Sequence, residues 1–557
     1  MNIDAAFGTI GHKDSEHYFD KGHYCLGTIS TVSNSGAKIQ IENLSILQGR
    51  VLNNESIFPN SVNFLVLIDD QKGLFIGRVN YAAIKDSDSI HVLMKSGQLD
   101  RIHPEEDLEV LAVCNSASLN FSPSGFNSVG IHDKVYIAPP KVVSMYLKSL
   151  ELLEDARSEN PLPVFANLSN SDDSPVALKP VTLFSRHMMV IGTTGSGKST
   201  SALSIIDALI KSGIKVLMID PTGEYKDSFS SDEVEKLALG KDTYISPGSL
   251  SMNQWIGLFN ASSGIQAPAL VNAIKALRYQ KKNCQHAVLE KKFKQYSSIT
   301  DKIKTLNSKD TAFDLDLLTD QLMQEAVQEN SSGKMMPNDF KLNAIRMLTD
   351  RPNQKMETDG LKNFFSDVPD NSLLKKLDSF LANHRNLYIN ASQFGAGDDT
   401  GGMIIDLISK YLNRMKNELQ DAFVMFIDEV HRYTTKEGAD REAYYQGLNI
   451  LAREGRKQGI YLLLTTQSPN DVSKLVLSQM GTLLIHRLTQ SDELYAIKNF
   501  IDDRARARVP YLGQGDAVLS SVNLIQNIEI NILKSGRMHH NSSPSLWLRN
   551  DHVHEEK

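Results

Sequence analysis

The feature that most constrains this chain is one short stretch, Gly192-Thr-Thr-Gly-Ser-Gly-Lys-Ser199, set between the apolar run Met188–Ile191 and the helix-patterned Thr200–Lys211. Gly192, Gly195 and Gly197 free the backbone to wrap around an anion and turn its N–H groups inward. A lysine and a hydroxyl then open a helix, where unpaired N–H groups already favour negative charge. The spacing is G-x-x-x-x-G-K-[ST], and its strand–loop–helix context argues against an ordinary glycine-rich turn. Gly192, Thr193, Thr194, Gly195, Ser196, Gly197, Lys198, Ser199 and Thr200 are therefore candidates for binding a nucleoside triphosphate. Lys198 would bring its charge to the β and γ phosphates, and the Ser199 hydroxyl would ligate Mg²⁺.

Such a loop belongs on a parallel sheet. The runs His187–Ile191, Lys215–Asp220, Leu387–Asn390, Phe423–Asp428, Tyr461–Thr465 and Thr482–His486 are largely apolar, and several precede helix-like stretches. That is the texture of buried parallel strands alternating with helices, an α/β core. The run Phe423-Val-Met-Phe-Ile-Asp-Glu429 ends in two acids. Strand-end carboxylates are often only caps, and the loop upstream is what gives these weight. Asp428 would hold the Mg²⁺ shell and Glu429 would polarise an attacking water; two acids in tandem favour hydrolysis over transfer to a metabolite. Downstream, Gln467 ends the strand Tyr461-Leu-Leu-Leu-Thr-Thr-Gln467, placed to sense a γ-phosphate. Arg453 and Arg456 share one helix face. They suit an arginine finger reaching a neighbouring subunit's nucleotide, or else form a solvated basic helix end.

Charge and cysteine content narrow the classes further. The 557 residues carry a net charge of -7, so any nucleic-acid contact must come from a local positive surface. Cys25, Cys114 and Cys284 are too scattered for a disulfide framework or a zinc knuckle, which fits a reducing cytoplasm. The N-terminus lacks signal-peptide features and the apolar runs are strand-sized, so a soluble protein without a membrane partner is expected. From Tyr24 to about Tyr136, the runs Ala37–Ile41, Asn63–Ile68, Leu74–Val79, Ile90–Met94 and Leu108–Val113 read as short strands of a small barrel or sandwich. The expected division is a barrel plus linker over 1–178 and an α/β core over 179–262 and 386–525. A mostly helical insertion over 263–385, floppy at Asn330-Ser-Ser-Gly333, interrupts that core, and a C-terminal strand and tail occupy 526–557.

Several segments together resemble the HerA branch of the HerA–FtsK ATPases. They are Gly192 to Thr200, Met218-Ile-Asp-Pro-Thr-Gly-Glu-Tyr225, Ile427-Asp-Glu-Val-His-Arg432, the Arg453 to Gly459 segment with Thr466-Gln-Ser-Pro469, and Val509-Pro-Tyr-Leu-Gly-Gln-Gly-Asp-Ala517. The N-terminal strands, with Gly27-Thr-Ile and Gly77-Arg-Val, are similar to that family's small barrel domain. The likeness covers most of the chain except the insertion. It implies a RecA-like P-loop ATPase core with an N-terminal small β-barrel, ATP and Mg²⁺ as ligands, and hexameric rings that move along double-stranded DNA, usually with a nuclease partner. Residue by residue, it implies that Lys198, Ser199, Asp428, Glu429 and Gln467 act in the bound subunit, and Arg453 or Arg456 across the interface. Asp220 and Glu224 match the family's Asp-x-x-Gly-Glu-Tyr segment and are expected beside the nucleotide. Arg186, just before the first core strand, is a further phosphate-contact candidate. Val430 replaces a commoner small residue after the acid pair, with no consequence expected.

Two function classes share all these residues. One is a DNA translocase or helicase motor working with an effector. The other is a non-motor ring that assembles and activates a nuclease or a sirtuin-like, NAD-cleaving enzyme, docked on the N-terminal domain. A metabolic P-loop kinase is disfavoured by Glu429, the paired arginines and the barrel. Asn53-Asn54, Asn167 to Asn170 and Asn330-Ser-Ser-Gly333 are costly at high temperature, which favours a mesophilic bacterial antiphage setting over archaeal-type DNA-end resection. Lys281, Lys282, Lys291, Lys292 and Lys294 read as a solvated helix face or a nucleic-acid contact. His539-His540 with His552 and His554 reads as a tail rather than a metal tract. Lys436, in the loop Tyr433 to Gly438, is either a pore contact or loop filler.

Overall fold

The computed structural model describes Ile3 and residues 21–539, other than 34–35, 53–54, 58, 60–61, 63, 115–119, 126, 153–159, 170–174, 358–360, 367–370, 394–399, 416–420 and 434–444. Lys436, His540, His552, His554 and Asn53-Asn54 lie outside the described residues. Two units emerge: 1–160 with 170–182 and 520–528, and 161–169 with 183–519 and 529–557.

The first unit is built on β1 (Cys25–Ser33), β2 (Gly36–Ile41), β3 (Leu65–Asp70), β4 (Gly73–Ala83), β5 (Glu105–Cys114) and β6 (Lys134–Ile137). Their order is β2-β1-β6-β3-β4-β5, and β5 pairs back onto β2, which closes a six-stranded barrel. Closure removes the unpaired edges that an open sheet would leave. Leu26, Ile29, Ile39, Ile41, Val66, Ile68, Val79 and Leu108 are buried in it. Ile90–Met94, expected as a strand, is instead part of α1 (Asp88–Lys95). Ser87 caps this helix by accepting from the Ile90 N–H at 3.3 Å, Asp88 opens it and Lys95 closes it, charges that suit the two ends of a helix.

Glu106 is fully buried on β5, and neither carboxylate oxygen has a hydrogen-bond partner among the described residues. Burial pushes its carboxyl from the usual 4.5 up to about 8. Between those values the unfolded chain has released a proton that the folded barrel keeps, so stability falls as pH rises through that window. Glu106→Gln removes the titration. The variant is expected to melt about 5 °C or more above the parent at pH 8 and level with it at pH 4.5. Parallel melting temperatures at both pH values would contradict this account.

The second unit carries a parallel sheet of β7 (His187–Ile191), β8 (Lys215–Asp220), β9 (Val234–Ala238), β10 (Asn386–Asn390), β11 (Phe423–Ile427), β12 (Ile460–Thr466) and β13 (Met480–Ile485). Their order is β13-β7-β12-β11-β8-β10-β9, continued beyond β13 by β14 (Asp516–Ser521) and β15 (Ile528–Ile532). β7, β11 and β13 are buried at every residue, as their apolar runs require. One strand, β12, separates the strand before the glycine loop from the strand ending in two acids. This is the RecA-like P-loop arrangement, and it puts the end of β12 between loop and acids.

The 263–385 segment packs onto this core through helices such as Gln266–Lys282 and Leu373–Ala382, with a short hairpin of Val327–Glu329 and Met335–Pro337. Trp255 is fully buried there against Phe259, Phe313 and Phe365, with ring centroids 5.3 to 5.6 Å apart. The expected floppy point is a bonded turn: Asn330 Oδ1 accepts from the Ser332 N–H, the Ser332 hydroxyl and the Lys334 N–H. Three of the tempting lysines are used internally, Lys281 on Asp314, Lys282 on Asp310 and Lys291 on buried Glu325. Among the described residues, no helix is long and apolar enough to cross a membrane.

Candidate functional site

The glycine loop bridges β7 and α2 (Lys198–Lys211). It is anchored from both sides. The Gly192 N–H donates to Thr466 O at 3.2 Å, the Thr193 N–H to Arg487 O at 3.0 Å, and the Gly515 N–H to Ser196 O at 3.0 Å. Gly197 adopts φ +108°, with Gly515 N only 3.1 Å from where a Cβ would stand. At Gly192 a Cβ would sit 2.5 Å from Ser196 Oγ. The loop is thus a backbone cradle in which side chains at these positions have no room, opening onto a helix N-terminus.

The acids stand at the end of β11. Glu429 holds φ 48° and ψ 50°, a left-handed backbone that costs a bulky residue about 1–3 kcal/mol and recurs at functional sites. Thr465, on β12, links the two acids: the Glu429 N–H donates to its Oγ1 at 2.8 Å, and its hydroxyl donates to Asp428 Oδ1 at 2.5 Å. Asp428 is 1% exposed; burial pushes its carboxyl up to about 7 against the opposing pull of Lys198 and Thr465. Burial would also raise Glu429, but Lys198, Gln467 and His431 outweigh it and hold that carboxyl below its ordinary value.

Loop, acids and β12 meet here. Lys198 Nζ lies 2.5 Å from Glu429 Oε1, and Gln467 Nε2 donates to the same oxygen at 2.6 Å. Gln467 Oε1 accepts from the Thr194 hydroxyl at 2.8 Å. Lys198, Glu429, Gln467 and Thr194 therefore form one connected set. In front of it lies a cleft of about 640 Å³ lined by Thr193, Thr194, His431, Gln467, Asp492 and Glu493.

Asp220 and Glu224 divide their work. Asp220 is fully buried and spends both oxygens on the turn that follows it. Oδ1 accepts from the Thr222 N–H, the Thr222 hydroxyl and the Gly223 N–H; Oδ2 accepts from the Tyr225 N–H and the Tyr388 hydroxyl. It shapes the turn that presents Glu224, whose carboxylate hydrogen-bonds with Ser199. Burial raises the Glu224 carboxyl, and its Oε2 is buried with no hydrogen-bond partner among the described residues. Ser199 and Glu224 thus bring oxygen donors together beside the loop, of the kind a hard divalent cation takes, and the Tyr225 hydroxyl, which also meets Ser199, reaches Asp428 Oδ1 at 3.5 Å.

The arginines stand elsewhere. Arg456 Nη1 donates to Ser185 O at 3.3 Å, and Ala452 O lies 2.8 Å from His187 Nε2. Both contacts fall at the start of β7, whereas the loop follows its other end, roughly 16 Å along a five-residue strand. Arg453 and Arg456 cannot reach the loop of their own chain. Arg186, immediately before β7, is likewise at the far end, so its reading as a phosphate contact of its own subunit is set aside.

The family model for the central domain of the helicase HerA matches residues 164–456, more than half of the chain. The chain belongs to the HerA helicase family. It is an ATP-hydrolysing, helicase-like enzyme of the HerA–FtsK group. It is 23% identical over 420 residues to a probable helicase of Methanocaldococcus jannaschii, covering 68% of this chain and 72% of the relative. It is 24% identical over 358 residues to the DNA double-strand break repair helicase HerA of Saccharolobus solfataricus, covering 61% and 62%. Among solved structures it is similar to VirB4 of Thermoanaerobacter pseudethanolicus, at 13% identity and TM-score 0.47 over 68% of this chain and 97% of that one.

Sequence reasoning missed Thr465, His431 and His187. His431 Nδ1 lies 3.2 Å from both Glu429 Oε2 and Thr466 Oγ1. His187 accepts the Leu462 N–H at Nδ1 and so donates from Nε2 to Ala452 O. A signal existed in the polar Thr465-Thr466-Gln467 ending of an otherwise apolar strand.

Proposed function

We propose that this HerA-family chain forms a ring of six copies that hydrolyses ATP and drives movement along double-stranded DNA, with a separate effector enzyme docked on its N-terminal barrel. Placement of Arg453 and Arg456 carries this reading. Arg453 lies in the last turn of the helix Gly447–Glu454 and Arg456 in the 3₁₀ turn Gly455–Gln458 that follows; both stand at the end of the sheet away from their own loop, which supports action on a neighbouring copy's nucleotide.

Within each copy, the loop N–H groups and Lys198 hold the β and γ phosphates. Ser199, Asp428 and, next to them, Glu224 would hold Mg²⁺, which supplies neutralisation of phosphate charge when bound. Glu429 draws on the attacking water, whose orientation Gln467 fixes from the end of β12. Arrival of phosphate displaces Glu429 from Lys198 and frees its carboxylate. The name of the Saccharolobus relative, a double-strand break repair helicase, supports duplex DNA as the track. The asparagine-rich composition supports a mesophilic, bacterial antiphage setting in the cytoplasm, with a nuclease or NAD-cleaving effector.

Linear duplex DNA is expected to raise the ATPase rate of the isolated protein about tenfold, and light scattering with ATP to give six times 61.9 kDa. A ring indifferent to DNA would favour the scaffold reading. A monomeric mass under every condition would overturn the ring.

A further inference from the structure

The chain does not end its work at β15. Segment 533–538 folds back across α2, which opens with Lys198 and Ser199, and across segment 226–233, which continues from Glu224 and Tyr225. Ser204 of α2 donates from its hydroxyl to Leu533 O at 2.8 Å, and Ser228 donates to Met538 O at 2.6 Å. Between these two ties stands Arg537. Its Nε donates to Asp207 Oδ1 at 2.9 Å, on α2. Its two terminal nitrogens form a fork on Glu233, at 2.9 and 2.6 Å, and its guanidinium lies 5.0 Å from the Phe229 ring centroid. One planar cation thus clamps the two segments, a geometry a lysine cannot reproduce.

The two clamped segments are the two sides of the Ser199–Glu224 contact. α2 carries Ser199 in its first turn and Asp207 two turns later. The other segment carries Glu224 and buried Tyr225, whose hydroxyl reaches Asp428 Oδ1 at 3.5 Å and whose ring packs edge-on against Phe426. Three residues past Tyr225 the segment meets the C-terminal fold-back.

We infer that residues 533–538 are a strap across the nucleotide site, and that Arg537 is a positioning residue that sets Glu224 against Ser199 by tying Asp207 to Glu233. The inference rests on the reading of Ser199 and Glu224 as part of that site. Asp207 is 4% exposed and, among the described residues, keeps the Lys211 ion pair at 2.7 Å once Arg537 is removed. Glu233 keeps, among the described residues, the Ser230 N–H and hydroxyl, both at 3.0 Å. Without the guanidinium the two segments separate, and the Glu224 carboxylate is no longer held where Ser199 meets it. The arginine's side-chain partners are Asp207, Glu233 and the Phe229 ring, and it acts through Glu224.

ATP hydrolysis and equilibrium binding of a fluorescent ATP analogue, each measured as a function of Mg²⁺, test this in the full-length protein. Arg537→Ala is expected to raise the Mg²⁺ concentration for half-maximal activity about tenfold, with Arg537→Lys close to Ala because it lacks the fork. The same measurement in Glu224→Gln separates positioning from general destabilisation. A strap acting through Glu224 adds little further shift there, whereas a merely structural role adds the same shift again. An unchanged Mg²⁺ dependence in Arg537→Ala, or full additivity with Glu224→Gln, overturns the strap. A Glu224→Gln variant indistinguishable from the parent overturns the reading of the site, and the strap with it. If Arg537→Ala does not fold, Ser228→Ala, which removes only the tie to Met538, should show a shift of about threefold with the same dependence on Glu224; no shift there overturns the proposal.

Discussion

Glu429→Gln is expected to stop ATP turnover while the protein goes on binding ATP, at least as tightly as the parent does. Two effects act together. The substitution keeps the shape of the side chain and its bond to Gln467, but removes the carboxylate that draws on water, a loss of about 10³ in rate. It also removes the anion that sits 2.5 Å from Lys198 Nζ, in a place where both side chains are almost fully buried. In the parent, phosphate must compete with that carboxylate for the ammonium; in the variant it does not. Lys198→Ala gives the opposite pattern. Turnover falls equally far, but ATP binding weakens, because the charge that meets the β and γ phosphates is gone and Glu429 is left buried without its ion pair. Equilibrium binding of a fluorescent ATP analogue beside phosphate release checks both. A Gln variant that turns over at the parental rate removes Glu429 from the chemistry, and one that binds ATP more weakly removes the competition.

These residues were legible in the sequence because the chemistry dictates their type and spacing locally. The loop needs glycines where a Cβ would strike Ser196 or Gly515, and the acids need the end of a buried strand. Legibility failed wherever a residue's partner is distant along the chain. Asp220 and Glu224 sit four apart in one motif, yet only the fold shows that Asp220 turns both oxygens into the turn itself and Glu224 meets Ser199. Arg186 is close to the loop in sequence and far from it in space, because a full strand intervenes. Ile90–Met94 failed for another reason: a short apolar run has no clear period, and only Ser87 and Asp88 ahead of it mark a helix start. β9 escaped notice because Glu235 and Lys236 interrupt its apolar pattern on a sheet edge. The insertion offered no motif, and its short hairpin turns on three bonds to one asparagine side chain.

The arginine pair gives the sharpest test of assembly. Loss of the arginine that serves the next copy's γ-phosphate is expected to lower the rate by about 10³ while leaving nucleotide affinity nearly intact, because the charge it meets develops mainly in the transition state. The geometry orders the two. Arg456 is committed to Ser185 O, at 3.3 Å, whereas Arg453 is exposed and has no partner among the described residues. Arg453→Ala is thus expected to carry the large loss, and Arg456→Ala a smaller one through the seating of the helix. Mixing decides where the arginine acts. An Arg453→Ala copy co-assembled with a Lys198→Ala copy regains activity, since some interfaces then pair an intact loop with an intact arginine. Each variant alone has none. Action within one copy is excluded by the length of β7, so dead mixtures would mean that the ring fires only when every site is whole. Native mass measurement of the mixed ring must accompany the assay, because separate assembly of the two variants gives the same silence. If neither single substitution changes turnover, this segment is a solvated basic surface, and the argument that each site needs a neighbour falls with it.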